Sequence, residues 1–162
     1  MKKVAGLLTL IAVGAIAFAA TKGDSIGAKE APQSSLQEEI QYPPEVKAAM
    51  VEAQKAAQDW LKLVDSGKYA ESWDKGSEVF RHTITRDQWV TALDQARKRL
   101  GGVKSRALTK ELPAWNPNGL PPGAYMVVEY NTAFDLATNS GEVLTLRQEP
   151  GGEWRVLTYN FN

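Results

Sequence analysis

The sequence predicts an α+β fold: three N-terminal helices packed on a curved antiparallel sheet of about four strands. Three observations carry this. Up to Leu100 the apolar residues recur in steps of three and four, the period of a helix. From Val103 onward they alternate, the period of a strand. The alternating runs are separated by Gly, Pro and Asn clusters too short to hold crossover helices, so neighbouring strands run antiparallel. Neither layer can bury its apolar side alone, and the helices must cover one face of the sheet. The 162 residues, 43% hydrophobic and 23% charged, suffice for one domain with a core.

The first helix spans about Glu45 to Asp65, with Val46, Met50, Ala53, Ala57, Trp60, Leu61 and Val64 on one face. Pro43-Pro44 suits its first turn, and Gly67 after Ser66 suits a left-handed end. A short second helix, Lys68 to Lys75, sets Tyr69 and Trp73 at i and i+4 on one face. Val79 to Ile84 is β-branched and aromatic, which predicts a short strand or extended link. Thr85 with Gln88 three residues on is a capping box that opens the third helix. Its apolar face is Trp89, Ala92, Leu93, Ala96 and Leu100, and Gly101-Gly102 stop it. The strand runs are Val103–Leu112, Ala124–Phe134, Glu142–Glu149 and Trp154–Phe161. Asn-Ser-Gly and Gly-Gly are short connections, so the last three strands form a meander. Alternation puts Met126, Val128, Tyr130, Thr132 and Phe134 on one side. In the last strand it sets Trp154, Val156 and Thr158 opposite Leu157, Tyr159 and Phe161.

The N-terminus predicts a compartment. Two lysines precede an apolar run from Val4 to Ala20, and Ala17-Phe18-Ala19 has the small-x-small form of a signal-peptidase site. Residues 1–19 are expected to be a cleaved signal peptide, and the protein periplasmic or secreted. The alternative is an uncleaved anchor of residues 4–20 on the outer face of the cytoplasmic membrane, slightly under the ~20 apolar residues of a spanning helix. Residues 20–44 hold almost no apolar side chains and read as a flexible linker. Residues 45–162 form a single domain. Nineteen basic and nineteen acidic residues cancel, which argues against a nucleic-acid partner. The absence of cysteine excludes disulfides, thiol catalysis and Cys-ligated zinc.

The order of elements resembles the nuclear transport factor 2-like (cystatin-like) superfamily, whose sheet bends into a cone over the helices. At motif level the chain resembles a family of secreted bacterial domains of unknown function, family 4019. The matching pieces begin with Trp60-Leu61, Val64-Asp65, Gly67, Tyr69 and Ser72-Trp73. Trp89, Arg97, Leu100-Gly101, Val103 and Ser105-Arg106 follow, then Gly123, Tyr125, Val127 and Phe134. The last are Glu142, Leu144-Thr145-Leu146, Gly152, Trp154-Arg155-Val156 and Tyr159. The resemblance implies the cone fold. It leaves activity open, since that superfamily holds isomerases and dehydratases beside adaptors and binding domains.

No set of residues stands at catalytic or metal-ligand spacing, and no cofactor or metal is expected. His82, the single histidine, is a possible base or ligand and more often a plain surface residue. Arg106 is a candidate for holding a carboxylate-bearing ligand, with Arg97 on the preceding helix and Glu129 and Glu142 on neighbouring strands. The stronger reading of these residues is an internal Arg–Glu pair. Asp59, Asp65 and Asp74 match the acid of the superfamily isomerases in type only. Trp115, in the Pro- and Gly-rich loop Pro113–Gly123, and Tyr125 beside it are the best hint of a contact surface. The expected function is thus a non-enzymatic extracytoplasmic domain binding a partner protein or small ligand at the cone mouth, with a homodimer left open. One alternative is a small periplasmic isomerase- or hydrolase-type enzyme using the cone. Another is a structural subunit tethered to the membrane by residues 4–20.

Overall fold

A computed structural model describes residues 40–161; the signal-peptide assignment and nearly all of the linker lie outside them. The chain forms α1 (Pro44–Asp65), α2 (Tyr69–Asp74), α3 (Glu78–Thr83) and α4 (Arg86–Leu100). The strands are β1 (Val103–Trp115), β2 (Ala124–Phe134), β3 (Ser140–Gln148) and β4 (Trp154–Phe161). They make one antiparallel sheet in the order β1-β2-β3-β4, an α+β fold. Helices pack on one sheet face, termed the inner face below. Ala53, Ala57, Trp60, Leu61 and Val64 of α1 and Trp89 and Leu93 of α4 meet Met126, Val128, Tyr130, Leu144, Leu146, Val156 and Tyr159 there.

Local signals account for most boundaries. Pro44 occupies the first turn of α1, and Gly67 takes φ +75° just past its end. Thr85 and Gln88 make the reciprocal capping box at the start of α4. Ser72, fully buried, accepts at its hydroxyl from Trp89 Nε1 (3.0 Å) and at its carbonyl from Trp60 Nε1 (2.7 Å). Both indole donors are therefore satisfied inside the core, as buried polar groups must be.

Three expectations are corrected. The segment Val79 to Ile84 is not a strand: Glu78–Thr83 is a helix, so four helices precede the sheet. Ser77 caps it by accepting from Phe80 N–H, and Ser77 N–H in turn donates to Val156 O on β4 (2.8 Å). The cap overrides the β-branched composition. Gly76 is required just before it, because a Cβ there would lie 2.3 Å from the Phe80 ring.

Strand β1 continues past Leu112 to Trp115, with Pro113 opposite Met126. Because β1 is an edge strand, proline's missing N–H costs no ladder bond. In β4, Thr145 pairs with Thr158 and Leu146 with Val156, leaving Leu157 as an extra residue. This bulge resets the alternation, so Trp154, Val156 and Tyr159 all reach the core.

Candidate functional site

The register arranges the inner face in rows from one end of the sheet to the other. At one end Trp115 faces Ala124 and Gln148 faces Trp154; Pro113 and Met126 form the next row. The first turns of α1 lie over these rows. Between them is a cavity of 170 Å³ lined by Glu45, Val46, Ala49, Pro113, Trp115, Ala124, Tyr125, Met126, Gln148 and Trp154. Trp115 is 55% exposed at its rim. Tyr125 is buried, and its hydroxyl donates to Pro121 O (2.6 Å), which ties down the β1–β2 loop. Asn116 closes the same loop through Gly123 in both directions, donating N–H to Gly123 O (2.9 Å) and accepting at Oδ1 from Gly123 N–H (2.8 Å). The loop is thus folded back and held, and Trp115 is presented from a strand end. Trp154 Nε1 is buried without an acceptor among the described residues.

At the other end of the inner face lies a buried ionic cluster. Arg106 on β1 donates through Nε to Glu142 Oε2 (2.5 Å) and through Nη1 to Asp65 Oδ2 (2.7 Å). Arg97 on α4 donates to Asp65 Oδ1 (2.8 Å) and to the Tyr159 hydroxyl oxygen (3.2 Å). Thr132 and Tyr159 hydroxyls both donate to the fully buried Glu142 carboxylate. The Arg97 guanidinium also lies over the Phe134 ring, 5.1 Å from its centroid. Burial works against the Arg106 charge, but the bonds to Asp65 and Glu142 outweigh it and hold its pKa above the ordinary value. Burial, with the Glu142 charge, pushes the Tyr159 phenol well up. Two cations and two anions cancel, and the groups come from α1, α4 and all four strands.

A third feature escapes the sequence reading. Glu111 stands opposite Val128, so it belongs to the inner face one row beyond Pro113. Its Oε1 and the Tyr130 hydroxyl are buried without partners among the described residues. Burial raises the Glu111 pKa; it raises that of Tyr130 as well, and the Glu111 charge adds to the latter. A carboxyl raised on folding disfavours the folded state when ionised. That penalty applies above the folded pKa and disappears as the pH falls below the unfolded one. Glu111→Gln is therefore expected to raise stability at pH 7 by up to about 1 kcal/mol, with the gain vanishing in acid. Urea titrations at pH 7 and pH 4 check this. Strand alternation could have placed Glu111 inward, but its sequence neighbours Lys110 and Leu112 gave no reason to expect a buried acid.

The sequence candidates separate in space. Trp115 lines the end cavity; Tyr125 borders it along the chain, but alternation sends its ring to the opposite sheet face, beside Arg147. Arg106 lies in the ionic cluster with Glu142 and Asp65. Glu129 is on the opposite sheet face, directly across from Lys110 with its carboxylate 3.8 Å from the ammonium, and so does not join Arg106. His82 is exposed on α3, its Nδ1 2.9 Å from Glu78 O. Asp59 sits on the solvent side of α1, where bonds to Lys55 and Lys62 lower its pKa to about 2. Asp74 pairs with Arg86. Among the described residues no group of three or more His, Asp or Glu side chains could hold a metal ion, and no helix is long and apolar enough to cross a membrane.

No curated protein matches the sequence. A solved 2.5 Å structure from Catenulispora acidiphila is similar over 73% of this chain and 93% of its own, at 17% identity and a TM-score of 0.49. The model of a family described as "Protein of unknown function (DUF4019)" matches residues 56–159, from the middle of α1 through β4. Through this match, which spans the motif pieces from Trp60 to Tyr159, the chain belongs to the DUF4019 family.

Proposed function

We propose that this protein is an extracytoplasmic binding domain without catalytic activity, whose end cavity is the mouth of a nuclear transport factor 2-like cone and engages a partner. The basic-then-apolar N-terminus with its small-x-small site supports export, and the polar stretch after it supports a tether. Four helices followed by a bulged antiparallel meander support the cone assignment.

The observation that carries the reading is Trp115. A tryptophan more than half exposed, on a strand end held by two loop-closing bonds, costs hydration free energy with no compensating contact. Covering it is the simplest gain a partner offers. The adjacent cavity of 170 Å³ is well below the roughly 300–1,000 Å³ of sites that enclose cofactor-sized ligands, which favours an anchor residue over a whole small molecule.

Trp115→Ala is expected to abolish capture of the partner in crosslinking pull-downs from the cell envelope while leaving the melting temperature within about 2 °C, since the side chain is largely outside the core. Undiminished capture by the variant would sink the proposal.

A second reading has its own observation. Glu111, with its raised pKa beside the unpaired Tyr130 hydroxyl, is the acid an isomerase- or hydrolase-type cone would use. No phenotype from Glu111→Gln would remove that reading. A third, a subunit anchored by residues 4–20, is separated by N-terminal sequencing: a start near Ala20 excludes it.

A further inference from the structure

We propose that Asn118 is a self-modification site: its side chain cyclises onto the backbone nitrogen of Gly119, and the β1–β2 loop passes to an aspartyl or isoaspartyl form without an enzyme. The inference stands apart from the mouth-binding reading. Its requirement is local. The backbone nitrogen after an asparagine must reach the side-chain carbonyl carbon, unhindered by a hydrogen bond or by a side chain of its own.

The other described asparagines fail that requirement. Asn116 precedes Pro117, which has no N–H, and its Oδ1 already accepts from Gly123. Asn131 and Asn160 lie inside β2 and β4 and precede Thr132 and Phe161, so the extended backbone and a bulky neighbour block both. Asn139 is exposed, but Ser140 follows it and is already paired with Thr132 at the start of β3.

Asn118 meets it. Asn118 and Gly119 are both exposed and form the centre of the turn Pro117–Leu120. Leu120 N–H closes that turn on Pro117 O (3.2 Å), so the Gly119 N–H is left without a backbone acceptor among the described residues. The other bonds that hold the loop run through Asn116, Pro121 and Gly123 and leave the Asn118 amide out. Gly119 has φ +83°, and nothing lies within 4 Å of where a Cβ would stand.

The chemistry needs only base and water. The Gly119 nitrogen loses its proton and attacks Asn118 Cγ. A C–N bond forms, the side-chain nitrogen leaves as ammonia, and a five-membered imide closes. Water then opens the ring. Addition at Cγ gives aspartate; addition at the main-chain carbonyl gives isoaspartate. Either product gains one negative charge, and isoaspartate also adds a carbon to the main chain. The change falls inside the loop closed by Asn116 and Gly123, beside the exposed Trp115 and outside the core.

The test is incubation of the purified protein at pH 7 and pH 9, followed by trypsin digestion and mass spectrometry. Cleavage after Lys110 and Arg147 yields one peptide holding Asn116, Asn118, Asn131 and Asn139, so the other three are internal references. Fragment ions locate each amide-to-acid conversion, and an unincubated sample sets the background from digestion. Conversion at Asn118 is expected to outrun that at Asn139 at least about tenfold, the advantage of an unobstructed attacking group. It should be faster at pH 9, because the attacking nitrogen must lose its proton. Asn118→Gln should remove the loop modification, since its longer side chain would have to close a six-membered ring.

Conversion at Asn118 no faster than at Asn139 overturns the proposal. So does conversion confined to the urea-unfolded chain, because the turn would then protect Asn118 instead of exposing it.

Discussion

Replacing Glu142 by alanine is expected to cost about 3–5 kcal/mol of folding stability, the loss typical of a buried ion pair with one partner removed. The carboxylate is fully buried and accepts from Arg106, Thr132 and Tyr159, with Arg97 3.8 Å away. Its removal leaves Asp65 alone to serve two guanidinium groups and strands two hydroxyl donors in the core. Against a total stability of roughly 5–15 kcal/mol, this is enough to bring the domain near its unfolding threshold at 37 °C.

Equilibrium urea unfolding measures the loss. A second variant separates the charge effect from the packing effect. In Glu142→Leu with Arg106→Met, the pair is replaced by apolar groups instead of being broken. That double variant is expected to recover much of the loss, since well-packed apolar replacements of buried ion pairs are often neutral. If the double variant is no more stable than Glu142→Ala, the cluster is held by its hydrogen bonds more than by its charges.

The ionic cluster also marks the limit of what the chain discloses in one dimension. Arg97, Arg106 and Glu142 are conspicuous as charged residues inside otherwise apolar patterns, and an internal Arg–Glu pair follows from the cost of burying charge. Asp65 does not follow. It ends a helix 41 residues before Arg106, and only the packing of α1 across β1 brings the two to 2.7 Å. Strand β2 was legible to the residue, because a two-residue period over eleven residues admits one register of faces. Strand β4 was not, because an extra residue at Leu157 leaves no compositional trace yet turns every later side chain over. Helix α3 was hidden for a different reason: six residues hold less than two turns of periodicity, so the Ser77 cap and the bond to Val156 outweigh propensity. Trp115 and Tyr125 drew notice as aromatics beside a turn, but that Trp115 meets Trp154 and the start of α1 while the Tyr125 ring lies on the other face depends on the whole sheet.

Trp89→Ala is expected to cost a further class of energy, about 3–5 kcal/mol, through a cavity in the centre of the core. Trp89 is 1% exposed. Its ring meets Phe80 edge-on at 4.8 Å and lies 5.9 Å from Trp60 and 6.5 Å from Tyr159, so it joins α3, α1 and β4 through one side chain. Its Nε1 donates to the Ser72 hydroxyl, which itself donates to Tyr69 O (2.7 Å). Removing the indole therefore deletes packing and a buried hydrogen bond together, but leaves the Ser72 proton satisfied. Trp89→Phe divides the two. It retains a ring against Phe80 and loses the N–H, and should cost only about 1–2 kcal/mol. Ser72→Ala tests the same bond from the other side. Because Ser72 and Trp89 touch, the loss in the double variant Ser72→Ala with Trp89→Phe should fall short of the sum of the two single losses by the energy of the shared bond. Additive losses would mean that the indole N–H contributes nothing and that Trp89 acts through packing alone, in which case Trp89→Phe should behave as a simple reduction in volume.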